Sequence, residues 1–175
     1  MKKIKTIDIA TCGVITAIMF SLGVITVTLS NFGGENVFQI SDIFYLVFLN
    51  LLNPFLIIFS AILSGVLTDV YAGGVVYIPV TILVKLLIGI TFTVLKKILP
   101  IYITIFISYL WVFVYVLFTY ILFDKSFLIL EAIIDSIQYS VNTFFACIVY
   151  FSTKRFYSTS KVFKNNEKPT KILAN

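Results

Sequence analysis

Apolar runs of membrane-crossing length recur along this sequence, and they set what the chain can fold into. A helix crosses a bilayer core of about 30 Å with about 20 apolar residues. Runs at Ile7–Leu29, Phe55–Tyr71, Tyr77–Leu95, Ile101–Phe123 and Phe127–Ser152 meet that need, and a shorter run, Ile40–Leu52, follows the first. Composition agrees: of 175 residues 60% are hydrophobic and 12% charged, against about 25% charged in a soluble domain. The sequence predicts an all-α integral membrane protein with six transmembrane helices. Residues 1–153 form one transmembrane domain, and 154–175 form a basic, disordered cytoplasmic tail.

The boundaries follow from local signals. The first run is longer than the 7–15 residues of a signal-peptide core and ends at Ser30-Asn31-Phe32-Gly33-Gly34 without a small-x-small cleavage pattern, so it is retained as span one. Asn53-Pro54 separates spans two and three, Ala72-Gly73-Gly74 stops span three, and Lys96, Lys97 and Pro100 end span four. With a cytoplasmic N-terminus, six spans gather Lys2, Lys3, Lys5, Lys96, Lys97, Lys154, Arg155, Lys161, Lys164, Lys168 and Lys171 on one side. The positive-inside rule makes that side, with both termini, cytoplasmic. The net charge of +5 then belongs to inner loops and tail facing anionic lipid, and calls for no nucleic acid.

Several functions fall away. Histidine is absent, which removes imidazole bases, His-ligated metals and Ser-His or Cys-His dyads. Cys12 and Cys147 lie far apart in apolar stretches and read as packing residues. No G-x-x-x-x-G-K-[ST] motif is present, so ATP-driven work needs another subunit. Gly65-Val66-Leu67-Thr68-Asp69 matches an intramembrane aspartyl protease motif only loosely. No catalytic residue, metal site or cofactor is expected. No internal repeat supports an inverted-repeat transporter.

Ionisable groups at membrane depth are costly and usually face a cavity or a partner. Lys85 lies near the midplane of span four, and Thr81, Lys85, Gly89 and Thr93 form one small or polar helix stripe. Two readings stay open for Lys85: an ion pair with Asp69, or a donor to a ligand's oxygen or anion. In span six, Glu131, Asp135, Gln138 and Asn142 share one face. Such a stripe needs water, ligand or mutual contact, and it describes a pocket opening outward rather than a pore. Lys85 and Asn142 are the leading contacts, with Gln138, Asp135, Thr81 and Asp69 around them. Tyr77, beside the Gly73-Gly74 loop, and Trp111 and Tyr115 in span five are candidate pocket walls, though interface anchoring explains Tyr77 more readily and lipid contact suits Trp111 and Tyr115 equally. Gly13, Ala17 and Ser21 form a small-xxx-small ridge on span one, which by default packs internally.

The stretches Ile40-Ser41-Asp42-Ile43, Asn53-Pro54, Ser60 to Asp69, and Tyr77-Ile78-Pro79-Val80-Thr81 with Lys85 to Gly89 resemble substrate-binding S components of energy-coupling factor transporters. The resemblance is best over spans one to four, and reaches span six only through its polar stripe. It implies a six-helix protein of a prokaryotic plasma membrane that captures a water-soluble vitamin or precursor from outside. It also implies partners, a transmembrane T component and two ATPases that hydrolyse ATP. In that family an Ala-x-x-x-Ala ridge of span one docks on the T component; Gly13 to Ala17 stands there, with glycine in the first position, and Ala17 with Ser21 would serve as well. Pocket chemistry leans to a small heteroaromatic such as pyridoxine or hydroxymethylpyrimidine, or to riboflavin. The alternatives are a proton-coupled secondary transporter relaying protons through Asp69, Lys85 and Asp135, and a structural membrane protein whose stripe meets another helix.

Overall fold

Asn53 and Pro54 show how local chemistry places the helices. The Asn53 side chain accepts the Phe55 N–H at 3.1 Å, and Pro54 occupies the first turn, where its missing N–H costs nothing. The computed structural model describes residues 6–30, 39–122 and 125–166, and among these there are helices and turns but no strands. The helices are α1 (Thr6–Ser30), α2 (Ser41–Leu51), α3 (Pro54–Tyr71), α4 (Ile78–Leu95), α5 (Ile101–Tyr109), α6 (Val114–Leu122) and α7 (Lys125–Asn166). Five stretches are long and apolar enough to cross a membrane: Thr6–Leu29, Pro54–Tyr71, Val75–Leu95, Ile101–Leu122 and Leu128–Lys154. The chain is therefore a multi-pass membrane protein.

The expected second span is different. Helix α2 has 11 residues, which at 1.5 Å each extend about 16 Å, half of a bilayer core. It is also the most enclosed element: Ser41, Asp42, Ile43, Tyr45, Leu46, Val47 and Leu49 are all buried. Helices α1 and α3 run parallel and pack directly against each other. Cys12 Sγ lies 3.0 Å from Ser60 Oγ at one level, and Gly23 backs onto Thr68 further along. The α2 C-terminus sits at the far end of α4, where Lys96 Nζ donates to the Leu49 carbonyl at 3.1 Å, a cation placed where the helix dipole favours one. The α2 N-terminus sits beside Lys85, about 10 Å into α4 from Ile78. Helix α2 thus fills the half of the bundle toward the α4 C-terminus and begins at mid-depth.

Two features orient the opposite half. Gly73, at φ 76°, ends α3 in the left-handed conformation, and the Gly74 N–H closes the turn on the Asp69 carbonyl at 2.8 Å. The fifth span is not a continuous α-helix, since Leu110–Phe113 is a 3-10 turn. A 3-10 turn advances about 120° per residue instead of about 100°. Four such residues bring Tyr109 and Tyr115 from about 120° apart to about 40° apart, so both face the bundle interior.

Helix α7 continues to Asn166, past the expected end of the transmembrane domain at residue 153. No glycine or proline interrupts 125–166, and the first breaker is Pro169. Lys2, Lys3 and Lys5, the first loop, Phe123-Asp124 and residues 167–175 lie outside the described residues.

Candidate functional site

The polar residues separate into two groups by depth. The deeper one is held together by hydrogen bonds, with only Asn142 Oδ1 left without a partner among its side-chain atoms. Lys85 forms a salt bridge with Asp42 Oδ1 and donates to Gln39 Oε1 at 2.9 Å. The Tyr109 hydroxyl donates to the other Asp42 oxygen at 2.8 Å. It accepts from Asn142 Nδ2 at 2.7 Å and Gln138 Nε2 at 3.2 Å, which uses its full hydrogen-bonding capacity. Of the two readings open for Lys85, the ion pair forms with Asp42 rather than Asp69, because the short α2 delivers its first turn to the level of Lys85.

The two amides of α7 do a second job. The Gln39 N–H donates to Gln138 Oε1 at 3.2 Å, and the Gln39 carbonyl accepts from Asn142 Nδ2 at 2.9 Å. Backbone outside a helix is tolerated at membrane depth only where protein satisfies it, and Gln138 and Asn142 supply that satisfaction at the head of α2. Tyr45 adds a strut, its hydroxyl donating to the Lys85 carbonyl at 2.6 Å. Gly89 lets α4 approach, since a Cβ there would overlap Ile58 and the Tyr45 hydroxyl.

The second group lies toward the Gly73-Gly74 end, between α3, α4, α6 and α7. The Tyr115 hydroxyl donates to Thr81 Oγ1 at 3.0 Å, and Thr81 faces Asp69. Asp69 and Asp135 are both within electrostatic reach of Tyr115, and Glu131 and Asp135 of Tyr77. This group is not self-satisfied. Asp69 Oδ2 and Asp135 Oδ2 are buried without a hydrogen-bond partner, while Thr119 is paired with the Tyr77 side chain.

Of the residues singled out in the sequence, Thr81, Lys85, Asp69, Asp135, Gln138 and Asn142 are buried, and Tyr77 and Tyr115 are half-buried beside them. Trp111 stands apart. It is 37% exposed, and its indole N–H donates to Thr91 at 2.8 Å on the outer face of α4, so it walls neither group. The ridge of Gly13, Ala17 and Ser21 is exposed along α1, and a Cβ on Gly13 would meet nothing within 4 Å. Internal packing of that ridge is therefore corrected. The close α1–α3 approach is at Gly23, where a Cβ would overlap Thr68. Cys12 packs against Ser60 as expected, and among the described residues no cluster could hold a metal ion.

Sequence reasoning missed Gln39, Asp42 and Tyr109 as network members, and Thr119 altogether. A signal for the first two existed: a run too short to span must start at depth, so polar residues in its first turn need buried partners. Compared with known proteins, the chain matches no family model, no curated protein and no solved structure.

Proposed function

We propose that this chain is the substrate-capture S component of an energy-coupling factor importer, a six-pass protein with cytoplasmic termini in a prokaryotic plasma membrane. It binds a water-soluble vitamin or precursor from outside, and a T component with two ATPases drives delivery. One observation carries this reading: the polar interior is one-ended. Asp69 and Asp135, each with an oxygen lacking a hydrogen-bond partner, lie toward the Gly73-Gly74 end, while the Lys85–Asp42 salt bridge and the buried α2 close the bundle below them. Such a shape suits capture from one face rather than conduction through a pore. The exposed small-residue ridge of α1 supports docking on another membrane protein, since small residues let helices approach closely.

A second reading has a specific observation behind it. Buried Asp69 and Asp135, which form no salt bridge among the described residues, suit proton relay in a self-sufficient secondary transporter. Coexpression with a T component and its ATPases distinguishes the two. The capture reading expects a copurified complex that Ala17→Leu abolishes while the variant chain stays folded, and uptake that needs ATP. Proton-driven uptake by the chain alone in proteoliposomes overturns it.

A further inference from the structure

Lys85 is seated on one carboxylate and lies close to a second. Among the described residues its ammonium forms the one salt bridge, with Asp42 on the head of α2. Asp69 on α3 is within its electrostatic reach. That carboxylate is 8% exposed. It accepts from Thr81, whose hydroxyl in turn accepts from Tyr115 at 3.0 Å, and its Oδ2 is left without a hydrogen-bond partner. A buried carboxylate oxygen in that condition is a vacant seat for a donor.

A glycine joins the two seats. A Cβ on Gly65 would lie 3.5 Å from Lys85 Cε, 4.0 Å from Lys85 Cγ and 2.8 Å from Thr81 Cγ2. The lysine stem therefore runs against bare α3 backbone at Gly65. Asp69 follows four residues later on the same face of α3, about 6 Å along its axis. A lysine stem is four flexible carbons long, and here one side of it is walled by backbone rather than by a packed side chain.

We propose that Lys85 is a two-position latch: seated on Asp42 it locks the head of α2, and turned along Gly65 to Asp69 it loosens that head. The second position is the minor one. The lysine keeps a carboxylate in both, so the bundle avoids an unpaired buried ammonium, which is the costly state. Asp42 meanwhile keeps the Tyr109 hydroxyl as a donor, and Gln138 and Asn142 still hold the Gln39 backbone, so α2 loosens without coming away. Because α2 closes the half of the bundle toward the α4 C-terminus, the latch couples that closure to Asp69, which belongs to the other half. This inference goes beyond the capture reading and does not depend on which solute the bundle takes.

Hydrogen–deuterium exchange of the full chain in lipid nanodiscs, followed by mass spectrometry over α2, tests the latch, since exchange there reports how often the head opens. Asp69→Asn keeps side-chain shape and removes the second seat. The expected result is exchange at α2 slowed at least threefold, with α1 changed less than twofold. In the Lys85→Met background, which has no ammonium to move, Asp69→Asn should change α2 exchange less than twofold. Slowing of less than threefold in the parent background, or faster exchange, overturns the latch. Equal slowing in both backgrounds overturns it too, because Asp69 would then act on α2 without the lysine. Neither failure bears on the capture reading, which stands on solute binding and partner docking.

Discussion

Replacing Lys85 by methionine removes the buried ammonium and keeps most of the side chain's volume. The Lys85 and Asp42 side chains are 2% and 3% exposed, so water screens neither. The variant leaves Asp42 a single donor, the Tyr109 hydroxyl, and the Gln39 side-chain carbonyl loses its lysine contact. Breaking a buried ion pair from one side costs about 3–5 kcal/mol, whereas replacing both partners is often close to neutral. Lys85→Met and Asp42→Asn should therefore each destabilise by about 3–5 kcal/mol, and the double variant should recover most of one loss. The amide oxygen that Asp42→Asn introduces could still accept from Tyr109. Reversible unfolding of the detergent-solubilised chain by SDS, followed by circular dichroism, measures all four corners of the cycle. Asp69→Asn in place of Asp42→Asn supplies the control and should give no rescue. A loss below about 1 kcal/mol for Lys85→Met, or rescue by Asp69→Asn, refutes the assignment of Asp42 as the partner.

Two further predictions concern glycines. Gly23→Ala places a methyl group into the Thr68 side chain and should cost about 1–3 kcal/mol by overpacking; Thr68→Ala in the same chain should restore most of it, and equal SDS midpoints for Gly23→Ala and the parent would disprove the contact. At Gly73 a Cβ would meet nothing within 4 Å, but φ is +76°, so Gly73→Ala should cost about 1–2 kcal/mol through the backbone alone. Gly73→Asn should cost less, and a neutral Gly73→Ala in the same assay would show that the turn has relaxed.

Hydropathy made the long helices legible because each needs only length and apolarity, and Asn53-Pro54 and Gly73-Gly74 punctuate them by local chemistry. The polar stripe of Thr81, Lys85 and Gly89 was legible for a similar reason, since helical period alone puts these residues on one face. Pairing was not legible. Lys85 lies within reach of two carboxylates, Asp42 and Asp69, and choosing between them depends on how deep α2 starts, a tertiary fact. The Asn142 stripe shows the same limit: its spacing announced buried polar partners, but the partner proved to be the Gln39 backbone. Trp111 was opaque because a 3-10 turn shifts the faces of the fifth span, and a uniform α-helical wheel misplaces the residues in and beyond that turn. For Gly13, Ala17 and Ser21, smallness signals close approach without saying to which neighbour.

The half-length of α2 also bears on how the protein is made. Eleven residues with a polar first turn are too short for an insertion machinery to recognise as a span. Its head is satisfied by Lys85, Tyr109, Gln138 and Asn142, which are translated 43 to 103 residues after the groups they meet. The hydrogen bonds at the α2 head can therefore be complete only once Asn142 has been made, and a nascent chain arrested before Gln138 would lack the two amides that satisfy the Gln39 backbone.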